Sequence, residues 1–148
     1  MRRSLWLFWI VAAVVGLSAC GSEDDHGHHG HHDHSHDTVP AAYSGLQNPS
    51  EGEQAAIDSG GQIWVTYCAN CHGAQGDGQG AVAAQLTPPP PALNDARVLD
   101  SMSDGYLFWI LTEGAMSGQV SSSMPAYGET LSDPELWAVI SFLRTLPE

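Results

Sequence analysis

The sequence predicts an all-α domain over residues 51–148, preceded by a disordered, histidine-rich tether over 20–50 and a leader over 1–19. Three observations carry that prediction. Apolar side chains recur at helical spacing in three separate stretches after residue 51. Two of those stretches begin at a serine suited to cap a helix and run on to a helix breaker. The chain has only 148 residues and a formal charge of −13, with neither a sustained heptad nor repeated long apolar runs. One small domain fits that length, and multidomain, coiled-coil and polytopic membrane architectures do not. Nucleic-acid binding is excluded as well, because 17 acidic side chains face 4 basic ones, none of them Lys, a field that repels phosphate backbones.

In the leader, Arg2 and Arg3 precede an apolar stretch from Leu5 to Leu17 that is shorter than the ~20 residues of a membrane span. That is the pattern of an export signal. The stretch ends in Leu17-Ser18-Ala19-Cys20, which resembles the bacterial lipobox. The resemblance implies lipidation of the Cys20 thiol and anchoring by several acyl chains, each buried methylene contributing about 0.8 kcal/mol. Ordinary secretion with cleavage nearby is the alternative. The expected place is the bacterial cell envelope, lipid-anchored and facing the periplasm or the cell exterior.

From Gly21 to about Ser50 there are seven His, five acids and no aromatic residue before Tyr43. Such a composition buries too little apolar surface to offset ordering entropy, so a mobile tether is expected. His26, His28, His29, His31, His32, His34 and His36, interleaved with Asp24, Asp25, Asp33 and Asp37, form a ligand set that suits Cu, Zn or Ni. A solvating, pH-responsive spacer is the plainer reading of the same tract.

The residues that carry chemistry are Cys68-Ala69-Asn70-Cys71-His72, a C-x-x-C-H block of the kind that attaches one haem c covalently. Two thiols three positions apart can add to the two vinyl groups of one porphyrin, while the next residue turns its imidazole onto the iron. A thioredoxin-like dithiol would need a preceding strand, whereas the upstream residues Ile57, Gly60, Trp64 and Tyr67 form a helical stripe. A structural zinc site needs four ligands, and the domain offers Cys68, Cys71 and His72. The sixth iron ligand is expected from Met102, Met116 or Met124, since the domain holds no second His.

Other residues extend the pattern: Gly60 and Trp64 upstream, the run Gly73-Ala74-Gln75-Gly76-Asp77-Gly78-Gln79-Gly80, Pro91-Ala92-Leu93 after a proline run, and Met124-Pro125-Ala126-Tyr127-Gly128. Together they resemble the class I cytochromes c from Gly60 to Leu146. The resemblance implies about three main helices wrapped around one covalent haem. It also implies Met124 as the axial partner of His72, and the Pro91 carbonyl as acceptor of the His72 Nδ1 proton, with Pro90 as the alternative register. A polyproline spacer is the bland reading of the proline run.

The first helix is expected over roughly Glu53 to Tyr67. The middle helix is expected over Asp104 to Thr112, capped by Ser103 and ended at Gly114, with Tyr106, Leu107, Ile110 and Leu111 buried and Phe108 and Trp109 lining the haem pocket or its rim. The last helix starts at the capping box Ser132-Asp133-Pro134-Glu135 and runs on to Pro147 through Leu136, Val139, Ile140 and Leu143. In the family it crosses the first helix, which here would set Gly60 and Trp64 against Val139 and Phe142.

The expected function is one-electron transfer by a membrane-anchored monohaem cytochrome with His/Met-ligated iron, a carrier rather than an enzyme. Its redox partner in a respiratory chain would present a basic docking patch, and the protein would be a monomer or a subunit of a membrane complex. The alternative is a metal-handling lipoprotein whose tether captures copper or zinc.

Overall fold

The computed structural model describes residues 39–115 and 123–147. Cys20, the seven tether histidines and Met116 lie outside the described residues. Among those that are described, every regular element is helical: α1 (Gln54–Tyr67), α2 (Ala69–His72), a 3-10 turn (Ala83–Gln85), α3 (Ala96–Leu99), α4 (Asp104–Glu113) and α5 (Asp133–Leu143). None of these helices is long and apolar enough to cross a membrane.

Helix boundaries follow local chemistry. The Ser103 hydroxyl accepts from the Tyr106 N–H at 3.1 Å, and Gly114 ends α4 at φ +76° while its N–H bonds the Ile110 carbonyl at 2.9 Å. At α5 the Glu135 carboxylate accepts from the Ser132 N–H at 2.8 Å and from its hydroxyl at 2.7 Å, which satisfies donors the first turn would otherwise leave bare. That helix stops at Leu143 rather than continuing to Pro147. The Thr145 hydroxyl takes the Phe142 carbonyl at 2.6 Å, and the Thr145 N–H bonds the same oxygen at 2.9 Å, so the last turn tightens and the ladder ends.

Helix α5 forms the centre of the core. Leu136, Val139 and Ile140 are fully buried together with Leu99, each such side chain contributing about 1.5–3 kcal/mol of transfer free energy. Its contact with α1 is so close that a β-carbon on Gly60 would overlap the Ala138 carbonyl oxygen and lie 3.0 Å from Phe142 Cβ. The Trp64 ring sits 5.9 Å from that of Phe142. The Gly60 partner is therefore the Ala138 backbone, beside Phe142, rather than Val139. Of the expected α1 stripe, Gly60 and Trp64 are buried, while Tyr67 remains 41% exposed.

The folded domain begins earlier than residue 51. Pro40 to Ser50 form turns that lie across α4 and α5, anchored by Asn48, which is only 6% exposed. Its Nδ2 donates to Ser141 Oγ at 2.8 Å and to the Trp137 carbonyl at 3.3 Å, and its backbone N–H donates to Asp104 Oδ2 at 3.0 Å. Tyr43 packs 6.3 Å from Phe108 and donates from its hydroxyl to Glu113 at 2.8 Å. Arg144 closes the other end of the same network: its guanidinium bonds Asp104 Oδ1, the Leu99 carbonyl at 2.9 Å and the Met102 carbonyl at 2.7 Å. The C-terminus of α5, the start of α4 and the end of α3 are thus fastened at one point.

Candidate haem site

The site is built from the end of α1. Cys68 leaves the first helix and enters the short second one, so that the Cys71 and His72 N–H groups both bond the Cys68 carbonyl, at 3.1 and 2.9 Å. Both sulfurs are free thiols, held three residues apart on one turn. Burial pushes the Cys68 thiol up to about 12, with the nearby Cys71 adding to it, and burial also lowers the pKa of His72. The imidazole is therefore neutral, with a lone pair available for a metal.

The glycine-rich segment wraps this turn. Gly78 donates its N–H to the His72 carbonyl at 2.8 Å, Gly80 to Cys71 at 3.2 Å and Val82 to Asn70 at 3.1 Å. A side chain at Gly80 would meet the Cys71 backbone at 2.5 Å, so only glycine lets the loop lie this close. The Leu93 and Asn94 N–H groups then bond the Gly76 carbonyl at 2.6 and 3.2 Å, drawing the proline run back over the loop.

These elements enclose a cleft of about 1100 Å³, its open mouth included, with Cys68, Cys71 and His72 in its wall. Trp64 stands behind the imidazole at 5.6 Å, its ring tilted by 47°, and donates from Nε1 to the Gly73 carbonyl at 3.2 Å. Pro88 to Pro91 and Leu86 form one side; Tyr106, Leu107, Ile110 and Leu111 of α4 form another. The remaining wall carries Met124, Pro125 and Tyr127. The lining is almost wholly apolar.

The expected residues come together with one exception, the pair Phe108 and Trp109. Phe108 and Trp109 do not line the cleft: Phe108 stacks on Trp137 at 4.2 Å on the opposite side of α4, and Trp109 packs edge-on to Tyr106 at 6.1 Å. Pro91 lines the cleft with the rest of the proline run. The His72 Nδ1 atom is buried and finds no hydrogen-bond partner among the described residues. The Pro90 and Pro91 carbonyl oxygens lie against Gly78, 2.6 and 3.2 Å from where its β-carbon would be. Met102, one of the three candidate sixth ligands, also lines the cleft, its carbonyl held by Arg144. Two thioethers are thus present at the site.

Sequence reasoning passed over Tyr67 and Tyr127, which meet at the mouth. Tyr127 Oη donates to the Tyr67 carbonyl at 3.1 Å, and the rings lie edge-on at 6.0 Å. Burial is the main cause that pushes the Tyr127 phenol up to about 12, so it is a hydrogen-bond donor at neutral pH. The signal was the segment Met124-Pro125-Ala126-Tyr127-Gly128 itself, in which only the methionine was given a role.

No curated protein matches the chain in sequence. Five solved chains match in structure. One, from the reducing HAO-like protein complex of Kuenenia stuttgartiensis, superposes with a TM-score of 0.53 at 20% identity, covering 70% of this chain and 47% of that one. The likeness is one of fold. The family model described as cytochrome c oxidase, cbb3-type, subunit III matches residues 55–143, more than half of the chain and every wall of the cleft. On that match the chain belongs to this family and is a class I monohaem cytochrome c.

Proposed function

We propose that the protein is a one-electron carrier in which Cys68 and Cys71 hold one haem c covalently and His72 and Met124 are its axial ligands. One observation carries the reading: two free thiols, a neutral buried imidazole and the Met124 segment all line a single apolar cleft. That donor set fits a covalent porphyrin, because the thiols match its two vinyl groups and the apolar walls its faces. When bound, the haem supplies a single reversible Fe(III)/Fe(II) couple, and a thioether ligand favours the ferrous state. The chain's own part is to orient and to exclude water. The loop from Gly73 to Gly80 fixes the backbone of His72, Trp64 backs its ring, and α4 closes the cleft with aliphatic side chains. With both axial positions occupied by protein there is no open site for substrate.

In our reading this carrier sits at the bacterial cell envelope, on the periplasmic or outer face, lipid-anchored at Cys20; the lipobox-like sequence ending at Cys20 and the apolar leader before it support that reading. The family description names an oxidase subunit, which favours a partner that is a larger membrane oxidoreductase. The net charge of −13 favours a basic docking patch on that partner. The test is the optical spectrum of protein matured with c-type haem machinery, oxidised and reduced, as wild type and Met124→Ala. A covalent haem signal with a far-red methionine-to-ferric-haem band lost in the variant is the expected result. Survival of the band in Met124→Ala would remove Met124 as the ligand; failure to attach haem would remove the carrier reading altogether.

A further inference from the structure

We propose that Tyr127 is a positioning residue for the iron ligand, a strut that ties the Met124 loop to the haem-attachment segment. The inference rests on the assignment of Met124 as axial ligand. Residues 123–131 form no helix, so the placement of the thioether depends on what the loop is fastened to. One side is fastened to α4. Tyr127 N–H bonds the Leu111 carbonyl at 2.9 Å, Gly128 N–H bonds Thr112 at 3.1 Å, and Ala115 N–H bonds the Met124 carbonyl at 3.3 Å.

These bonds set the loop's register on α4, but α4 carries neither the attachment cysteines nor His72. A side-chain bond joins the loop to the opposite wall: Tyr127 Oη donates to the Tyr67 carbonyl at 3.1 Å, across 60 residues of sequence. Tyr67 immediately precedes Cys68. The acceptor is therefore the last carbonyl of α1, adjoining the residue that would be bonded to the porphyrin, and the donor is three residues from the thioether. Edge-on packing of the two rings at 6.0 Å and 75° holds the phenol in that direction. The strut spans the cleft mouth and fixes the separation across which His72 and Met124 would grip the iron.

The experiment uses haem-loaded Tyr127→Phe, which keeps the ring and deletes the hydroxyl. Imidazole is titrated against the ferric protein while the far-red band is followed, because added imidazole competes with Met124 for the sixth position and reports how often the thioether is off the iron. The expected result is about two- to fivefold tighter imidazole binding, the lower part of what one net hydrogen bond represents, since water reaches this bond. Asn48→Ala serves as a control that weakens the fold through partners, Ser141, Trp137 and Asp104, none of which lines the cleft; it should lower the unfolding temperature and leave imidazole affinity unchanged. Wild-type affinity in Tyr127→Phe, with the far-red band still abolished by Met124→Ala, would overturn the strut and leave the ligand assignment standing. A far-red band that persists in Met124→Ala would overturn both.

Discussion

The α1–α5 crossing depends on one hydrogen atom where a methyl group would otherwise be, and Gly60→Ala tests it. The new methyl would overlap the Ala138 carbonyl oxygen, with the carbonyl carbon at 2.5 Å and Phe142 Cβ at 3.0 Å. Carbon atoms pack at about 3.5–4.0 Å, so α5 has to retreat by roughly 1 Å, and gaps of that size forfeit a quarter to half of the dispersion gain along the seam. Such overpacking costs about 1–3 kcal/mol, and the upper end applies here because the obstacle is backbone rather than a side chain that can turn aside. Replacing a helical Gly by Ala returns about 1 kcal/mol, so the net loss should be about 2 kcal/mol, or roughly 8–16 °C in Tm for a domain this small. Gly61→Ala is the matched control. Its methyl would meet only the Phe142 ring at 3.3 Å, and a ring can turn where a backbone carbonyl cannot, so the propensity gain should dominate and Tm should hold or rise. Thermal unfolding of the two haem-loaded variants, followed by far-UV circular dichroism, decides the matter. Equal Tm values for the two would refute the close crossing.

Three further outcomes follow from the polar contacts. Asn48→Ala leaves Ser141 and the Trp137 carbonyl short of a buried donor and should cost about 1–3 kcal/mol in chemical denaturation; a chain starting at residue 51 should lose at least as much, and full stability in that truncation would mean the segment merely rests on the surface. Arg144→Lys should not restore what Arg144→Ala loses, because the planar fork reaches the Asp104 carboxylate and two carbonyls at once while an ammonium is a single point; equal stability of Lys and Arg would contradict this. The Glu135 carboxyl is held below its ordinary value of 4.5 by the Ser132 hydroxyl and N–H. Its unfolded form therefore binds protons first, so its contribution is present above that pH and is lost as the pH falls below it. Glu135→Gln should flatten the acid limb of the stability curve and leave the neutral plateau nearly unchanged.

What could be read in the sequence was what depends on near neighbours. Ser103, Gly114 and the Ser132–Glu135 box declare helix ends because each cap satisfies backbone groups within three or four residues. The attachment block declares itself because its chemistry demands two thiols and an imidazole in five positions. Asn48 could not be read, since its partners lie 89 and 93 residues away and nothing in its surroundings distinguishes a buried asparagine from a turn residue.

The facing of α4 was lost for a different reason. From Tyr106 to Leu111 that helix is apolar on every side, so periodicity cannot say which side is inward. The structure divides it. Tyr106, Leu107, Ile110 and Leu111 face the cleft, while Phe108 stacks on Trp137 and meets Tyr43 of the N-terminal segment. A helix this apolar in a small domain needs two covers. One is supplied by α5 and by residues 40–50, the latter outside the family-matched stretch of 55–143. The other, in our reading, is the porphyrin. On that reading Tyr106 and Ile110, half-buried on the cleft side of α4, gain their cover from the porphyrin, and haem attachment contributes to folding as well as to electron transfer.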